Sequence, residues 1–286
     1  MTIKLVTDST CDLPPALIDR HEIQIVPINI QFGENSYQEN VTISPDFFYR
    51  TISATGVLPK TSQPASGEFA AVYQSLANET DEIISIHVTG KLSGTCQSAR
   101  LAAAAVADQV QVHVIDSEAG SAGLGWMLLE ATDLINQGLS ADEIITHLES
   151  KRNRISIYFA VDNLQYASLS GRVGKISAAL GTLLNIKPII GLTDGFINVT
   201  DRVRSNNAAI RRMVTLTSEK VGNQPVNIGI IHAQAAEQAA LLMPMVQDQL
   251  RVEDCYIKDL AMSLAVHFGP GTLGLVAYPV NSSTFP

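Results

Sequence analysis

Short apolar runs alternate with amphipathic stretches along this chain, and that rhythm constrains the fold more than any single motif. IKLVTD at residues 3–8, EIISIHV at 82–88, VQVHVID at 110–116, ISIYFAVD at 155–162, VNIGIIHA at 226–233 and TLGLVAYPV at 272–280 read as strands. Helical patterns separate them at 14–21, 45–55, 67–78, 98–107, 120–138, 140–151, 177–184, 206–221 and 234–250. Residues 22–32 read as a second extended run. The Thr193-Asp194-Gly195 turn between apolar segments reads as a hairpin, because Asp-Gly supplies the positive φ angles that a tight hairpin turn needs. Ser44 before Pro45 and Asp46 is a helix N-cap signal, and Gly138 is a stop signal.

Strand–helix alternation of this kind buries a sheet under helices. With 286 residues and 46% hydrophobic content, two domains are expected. The division falls at residues 1–155 and 156–280, with 281–286 as a loose tail. The first domain is α/β with a mostly parallel sheet, and the second is α/β with a mixed sheet. Lys and Arg number 19 against 28 Asp and Glu, for a net charge of −9, which argues against a nucleic-acid partner needing a clustered basic face. No apolar stretch reaches the roughly 18 residues of a membrane span, and the first residues run directly into a strand, so a cytoplasmic protein is expected. Cys11, Cys96 and Cys255 have no CxxC spacing and read as reduced thiols.

Chemistry concentrates in three loops. In the stretch from residue 82 to 100, an apolar strand gives way to Ser93, Gly94 and Thr95 and then to a helix. Such loops open where α/β proteins hold ligands, and Gly94 lets backbone N–H groups approach an anion that the helix N-terminus also attracts. An ordinary turn capped by Thr95 or Ser98 is the plainer alternative. KTSQP at 60–64 offers Thr61 and Ser62. VHFGPGTLG at 266–274 offers His267 and Thr272 in a Gly-rich bend. The residues alone describe a pocket for a small anion.

Taken with TDSTCDLP at 7–14 and SLSGRVGK at 168–175, in this order and spacing, these segments resemble the DegV family of bacterial fatty-acid-binding proteins from about residue 3 to 280. The resemblance implies a long-chain fatty acid, such as palmitate or oleate, buried in an apolar tunnel between the two domains. Its carboxylate would be held by Thr61, Ser62, Ser93, Gly94, Thr95 and His267. It also implies a carrier, not an enzyme, that presents the fatty acid to a separate kinase for acyl-phosphate formation. No cofactor is implied beyond the bound lipid. Arg172, Arg202 and Arg204 would then form a basic rim for the kinase or its phosphate, and solvated surface charges are the alternative. Two segments depart from the family pattern: Asn206, Asn207 and two alanines follow the second arginine segment, and TSQPAS replaces the commoner TSQPSP.

Competing readings are weaker. Gly269, Gly271 and Gly274 spell GxGxxG but precede a strand, where a dinucleotide fingerprint must open a helix. TGKLSGT lacks P-loop spacing, and Gly120, Gly123 and Gly125 suit close helix-to-sheet packing. The six histidines form no HxH or HExxH pair, so no metal is expected. A serine-dependent lipid hydrolase would need a triad such as Ser93, His267 and Asp8 or Asp116, and Ser93 lacks the GxSxG elbow. A binder of another small anionic metabolite would share the head-group site and differ in the tail.

Overall fold

The structure is a computed structural model, and it describes residues 2–162, 166, 171–172 and 186–280. The chain divides into two compact units, Met1–Ser150 with Ala261–Val266, and Lys151–Leu260 with His267–Pro286. The expected single cut near residue 155 omits the return of Ala261–Val266 to the first unit. Buried carboxylates account for that return. Asp12 Oδ1 accepts a hydrogen bond from Ala261 N at 2.7 Å, and Glu39 accepts from Ser263 N at 2.8 Å and Ser263 Oγ at 2.6 Å.

The first unit is built on strands β1 (Ile3–Asp8), β2 (Gln24–Val26), β6 (Glu82–His87) and β7 (Gln111–Asp116), paired in the order β2-β1-β6-β7 and all parallel. Helices α3 (Ser66–Leu76) and α4 (Thr95–Ala105) share a core with this sheet, formed by Phe69, Tyr73, Ala99, Ala102, Val6 and Ile83. The alanines matter here: Ala99 and Ala102 are buried while Leu101 points outward, so the small residues let the helix approach the strands closely. Helix α5 (Ala122–Asn136) packs on β1 and β6. Helices α1 (Pro15–Arg20), α2 (Pro45–Thr55) and α6 (Ala141–Lys151) lie where the sequence puts them, and Ser44 Oγ accepts from Phe47 N to cap α2.

Residues 22–32 are not one extended run. Pro27, which has no N–H to give a ladder, separates β2 from β3 (Asn29–Phe32). The latter strand joins β4 (Asn35–Gln38) and β5 (Lys60–Ser62) in a three-stranded antiparallel sheet of order β4-β3-β5.

The second unit holds a six-stranded mixed sheet. Its strands are β8 (Ser156–Ala160), β9 (Lys187–Thr193), β10 (Phe196–Val203), β11 (Val226–His232), β12 (Val252–Asp259) and β13 (Leu273–Pro279). The order is β10-β9-β8-β13-β11-β12, with only β11 and β12 parallel. Asp194 and Gly195 both have positive φ at the β9–β10 turn, as the sequence requires. Helices α7 (Asn206–Val221) and α8 (Ala236–Gln249) bury Met213, Val214, Leu242 and Val246 against Ile228, Ile230 and Leu275. A last helix, α9 (Met262–Phe268), precedes β13. The expected helix at 177–184, most of SLSGRVGK and the 281–286 tail lie outside the described residues.

Candidate functional site

Strand β6 leaves the sheet between β1 and β7, and the loop that follows it is held from both sides. Its neighbours end in aspartates, IKLVTD and QVHVID. Asp8 Oδ2 accepts from Val88 N at 3.0 Å, and Asp116 Oδ2 accepts from Gly90 N at 3.0 Å. Thr89 N donates to Ala119 O at 2.8 Å, and the N–H groups of Leu92 and Ser93 return to Thr89 O, each at 3.2 Å. The loop is therefore a closed turn with few free amides. Ser93 Oγ lies 2.7 Å from Thr95 Oγ1 and accepts from Thr95 N at 3.3 Å; the N-cap of α4 is Gly94, with no side-chain cap, so neither Thr95 nor Ser98 caps the helix. Thr95 is fully buried and Ser93 is half-buried. Either hydroxyl can donate to the other, and whichever accepts keeps its own proton for an acceptor outside the pair.

Two of the predicted segments meet at Gly94. A Cβ built there would lie 2.7 Å from Gln63 Nε2, so the hydroxyl loop and the TSQP segment are in contact, and only glycine fits without displacing that amide. Thr61 and Ser62 sit on β5, half-buried, opposite Ile30 and Asn29 of β3. Gln63 is the residue that sequence reasoning missed. Its position between Ser62 and Pro64 was the available signal.

His267 lies in the last turn of α9, not in the glycine bend, and belongs to the second unit. Burial pushes its imidazole down to about 4, with the Arg172 charge adding to the effect, so the ring is neutral at physiological pH. Thr272 is structural: its hydroxyl donates to Phe268 O at 3.1 Å and Gly269 O at 2.8 Å, closing the end of the helix. The three glycines of the apparent fingerprint serve packing. A Cβ would strike Tyr166 from Gly269, Asp162 from Gly271 and Phe159 from Gly274, each at 2.6 Å or less. Gly120 likewise lies against Val88. Arg172, Arg202 and Arg204 are exposed.

Deeper in the first unit runs a chain of buried polar groups. Tyr73 OH and Ser85 Oγ are 2.8 Å apart, Ser85 Oγ and His87 Nε2 2.7 Å, and His87 Nδ1 and Asp8 Oδ2 3.1 Å. Asp8 Oδ1 also accepts from Thr10 N and Thr10 Oγ1. The distances resemble a serine–histidine–aspartate triad, yet all three side chains are fully buried and Phe69 covers the His87 ring edge-on at 5.0 Å. Burial acts to raise the Asp8 carboxyl, but the His87, Thr10 and Val88 hydrogen bonds outweigh it and hold the group below its ordinary value. Asp116 is likewise occupied, by Gly90 N and by Glu118 N at 2.9 Å. Neither aspartate is spare for catalysis. Cys11 is buried, and that burial pushes its thiol up to about 12, leaving it inert. Among the described residues, no group of His, Cys, Asp and Glu is placed to hold a metal, and no helix is long and apolar enough to cross a membrane.

The chain matches the model of the DegV family, described as an uncharacterised protein family, over residues 2–280. It is 33% identical over 277 residues to Protein DegV of Bacillus subtilis (strain 168), covering 96% of this chain and 98% of that protein. A DegV family protein from Thermus thermophilus, described by its fatty acid binding, superposes with a TM-score of 0.91 at 34% identity, covering 98% of this chain and all of the other. DegV from Bacillus subtilis, described as a fatty acid binding protein, gives a TM-score of 0.89 at 31% identity, with 98% and 100% covered.

Proposed function

The chain belongs to the DegV family, and from that membership together with the hydroxyl loop we propose that it binds one long-chain fatty acid, such as palmitate or oleate, as a cytoplasmic carrier without catalysis of its own. The observation that carries this reading is the convergence at Gly94, where the Ser93–Thr95 hydroxyls meet the segment bearing Thr61, Ser62 and Gln63. A carboxylate is an acceptor only, and these are donors. Ser93 donates its hydroxyl proton while Thr95 orients it. Thr61 and Ser62 donate from the strand. His267, neutral at working pH, adds an imidazole N–H as the family resemblance implies. Each hydrogen bond to the charged head group contributes about 1.5–3 kcal/mol. The tail contributes more in total, at roughly 0.8 kcal/mol per buried methylene.

In the same reading the carrier presents its carboxylate to a kinase, with Arg172, Arg202 and Arg204 meeting phosphate or an acidic partner face. Mass spectrometry of organic extracts from purified protein tests the core of the proposal. One acyl chain per protein is expected, and extracts without one, together with no uptake of added oleate, overturn it. A different small anion in the extract favours the metabolite binder. For the rim, Arg202→Gln should lower kinase-dependent phosphorylation of bound lipid, most at low salt, without loosening the lipid.

A further inference from the structure

We propose that Asp8 and Asp116 are positioning residues for the head-group site: two strand-end carboxylates that grip the loop leaving β6 from either side and set where Ser93 stands. This rests on the reading of Ser93 as a head-group donor. Sheet order puts β6 between β1 and β7, and each neighbour ends in an aspartate whose Oδ2 takes one backbone N–H of the loop, Val88 on one side and Gly90 on the other. The second oxygen of each is tied to its own chain: Asp8 Oδ1 to Thr10 N at 3.1 Å, Asp116 Oδ1 to Glu118 N at 2.9 Å. Each carboxylate thus couples the loop to a neighbouring strand end and has no oxygen left to rotate. From Gly90 the loop reaches Ser93 through bonds that all return to Thr89, so a shift at Gly90 is passed to the hydroxyl.

Gly90 is an independent sign of the grip. It is solvent-exposed, where a side chain would ordinarily be free, yet a Cβ there would lie 2.6 Å from Asp116 Oδ2. The glycine is needed for the carboxylate to approach, not for an unusual backbone angle.

The test uses the whole protein loaded with oleate and follows oleate release to phosphatidylcholine vesicles, with amide hydrogen exchange at residues 88–95 as a second readout. Asp8 lies in the core, so the half-buried Asp116 and the exposed Gly90 are the handles. Asp116→Leu and Gly90→Ala should each speed release about tenfold, the weakening of one charge-assisted hydrogen bond. Both should raise exchange at Gly90 and Ser93. Asp116→Asn keeps an acceptor for Gly90 N and should restore most of the retention. Combined with Ser93→Ala, Asp116→Leu should add little, because the clamp acts through that hydroxyl. If Ser93→Ala speeds release while Asp116→Leu and Gly90→Ala do not, or if the double variant is simply additive, the clamp is overturned and the head-group reading stands. If Ser93→Ala releases oleate like the parent, the head-group reading falls, and the positioning role falls with it.

Discussion

In the first unit two buried carboxylates, Asp8 and Glu39, are surrounded by donors, whereas in the second His267 is an imidazole held neutral by burial and a nearby guanidinium. Asp8 collects four hydrogen bonds and Glu39 collects three, from Ser9 Oγ, Ser263 N and Ser263 Oγ. The second unit instead relies on close apolar contact, with Phe159 and Phe268 stacked at 5.4 Å and Gly274 beneath the Phe159 ring. Buried polar networks specify geometry because a half-met group is costly, while apolar contacts specify volume. The unit with the hydroxyl loop is the one that fixes directions.

That contrast is broken most severely by removing one carboxylate. Asp8→Ala leaves His87, Val88 N and Thr10 N without their acceptor and should cost about 3–5 kcal/mol, measured by urea unfolding. A loss under about 1 kcal/mol, an ordinary surface effect, would show that water replaces the carboxylate. In the second unit the matching change is one of volume. Gly274→Ala sets a Cβ 2.3 Å from Phe159 and should cost about 1–3 kcal/mol by overpacking, with little effect of pH.

Smaller effects come from titration, and their signs oppose. Burial raises the Glu39 carboxyl despite the serine hydrogen bonds, so its contribution is fully present below pH 4.5 and is lost as pH rises through the raised value. Glu39→Gln should flatten the fall in Tm on the alkaline side of pH 4.5. His267 is lowered, so its contribution is present above pH 6.5 and is lost as pH falls toward about 4. His267→Gln should flatten the acid side of the profile. Both variants shifting the same limb would contradict the contrast between the units.

How much of this was legible in the sequence follows from what each signal measures. Periodicity reports which faces are buried, and it gave β1, β6, β7, β8, β11 and β13 of the two main sheets and the bounds of α2 and α7, while β12 was not read as a strand. It is silent on short polar strands, so β4 (NSYQ) and β5 (KTS) went unseen, along with the small sheet that holds Thr61. Pro27 breaks residues 22–32 into two strands because it has no N–H for the ladder, a feature that apolar periodicity does not register. The hydroxyl loop was readable because glycine and hydroxyl residues cluster there. What holds it was not, since Asp8 and Val88 are 80 positions apart and no local pattern ties them. Both aspartates were nonetheless in view as final residues of apolar runs.

The tie between Glu39 and Ser263 spans 224 positions, and it carries a consequence for biosynthesis. At about 5–20 residues per second, the ribosome needs roughly 10–45 s to supply the serine after the glutamate has been made. Once α6 has been made, the nascent first unit has its sheet strands, helices and hydroxyl loop, but until the last part of the interval it has no Ser263 donors for Glu39 and no Ala261 amide for Asp12. The last of its hydrogen bonds form only when nearly the whole chain has emerged, so the hydroxyl loop is made early and its unit is completed late.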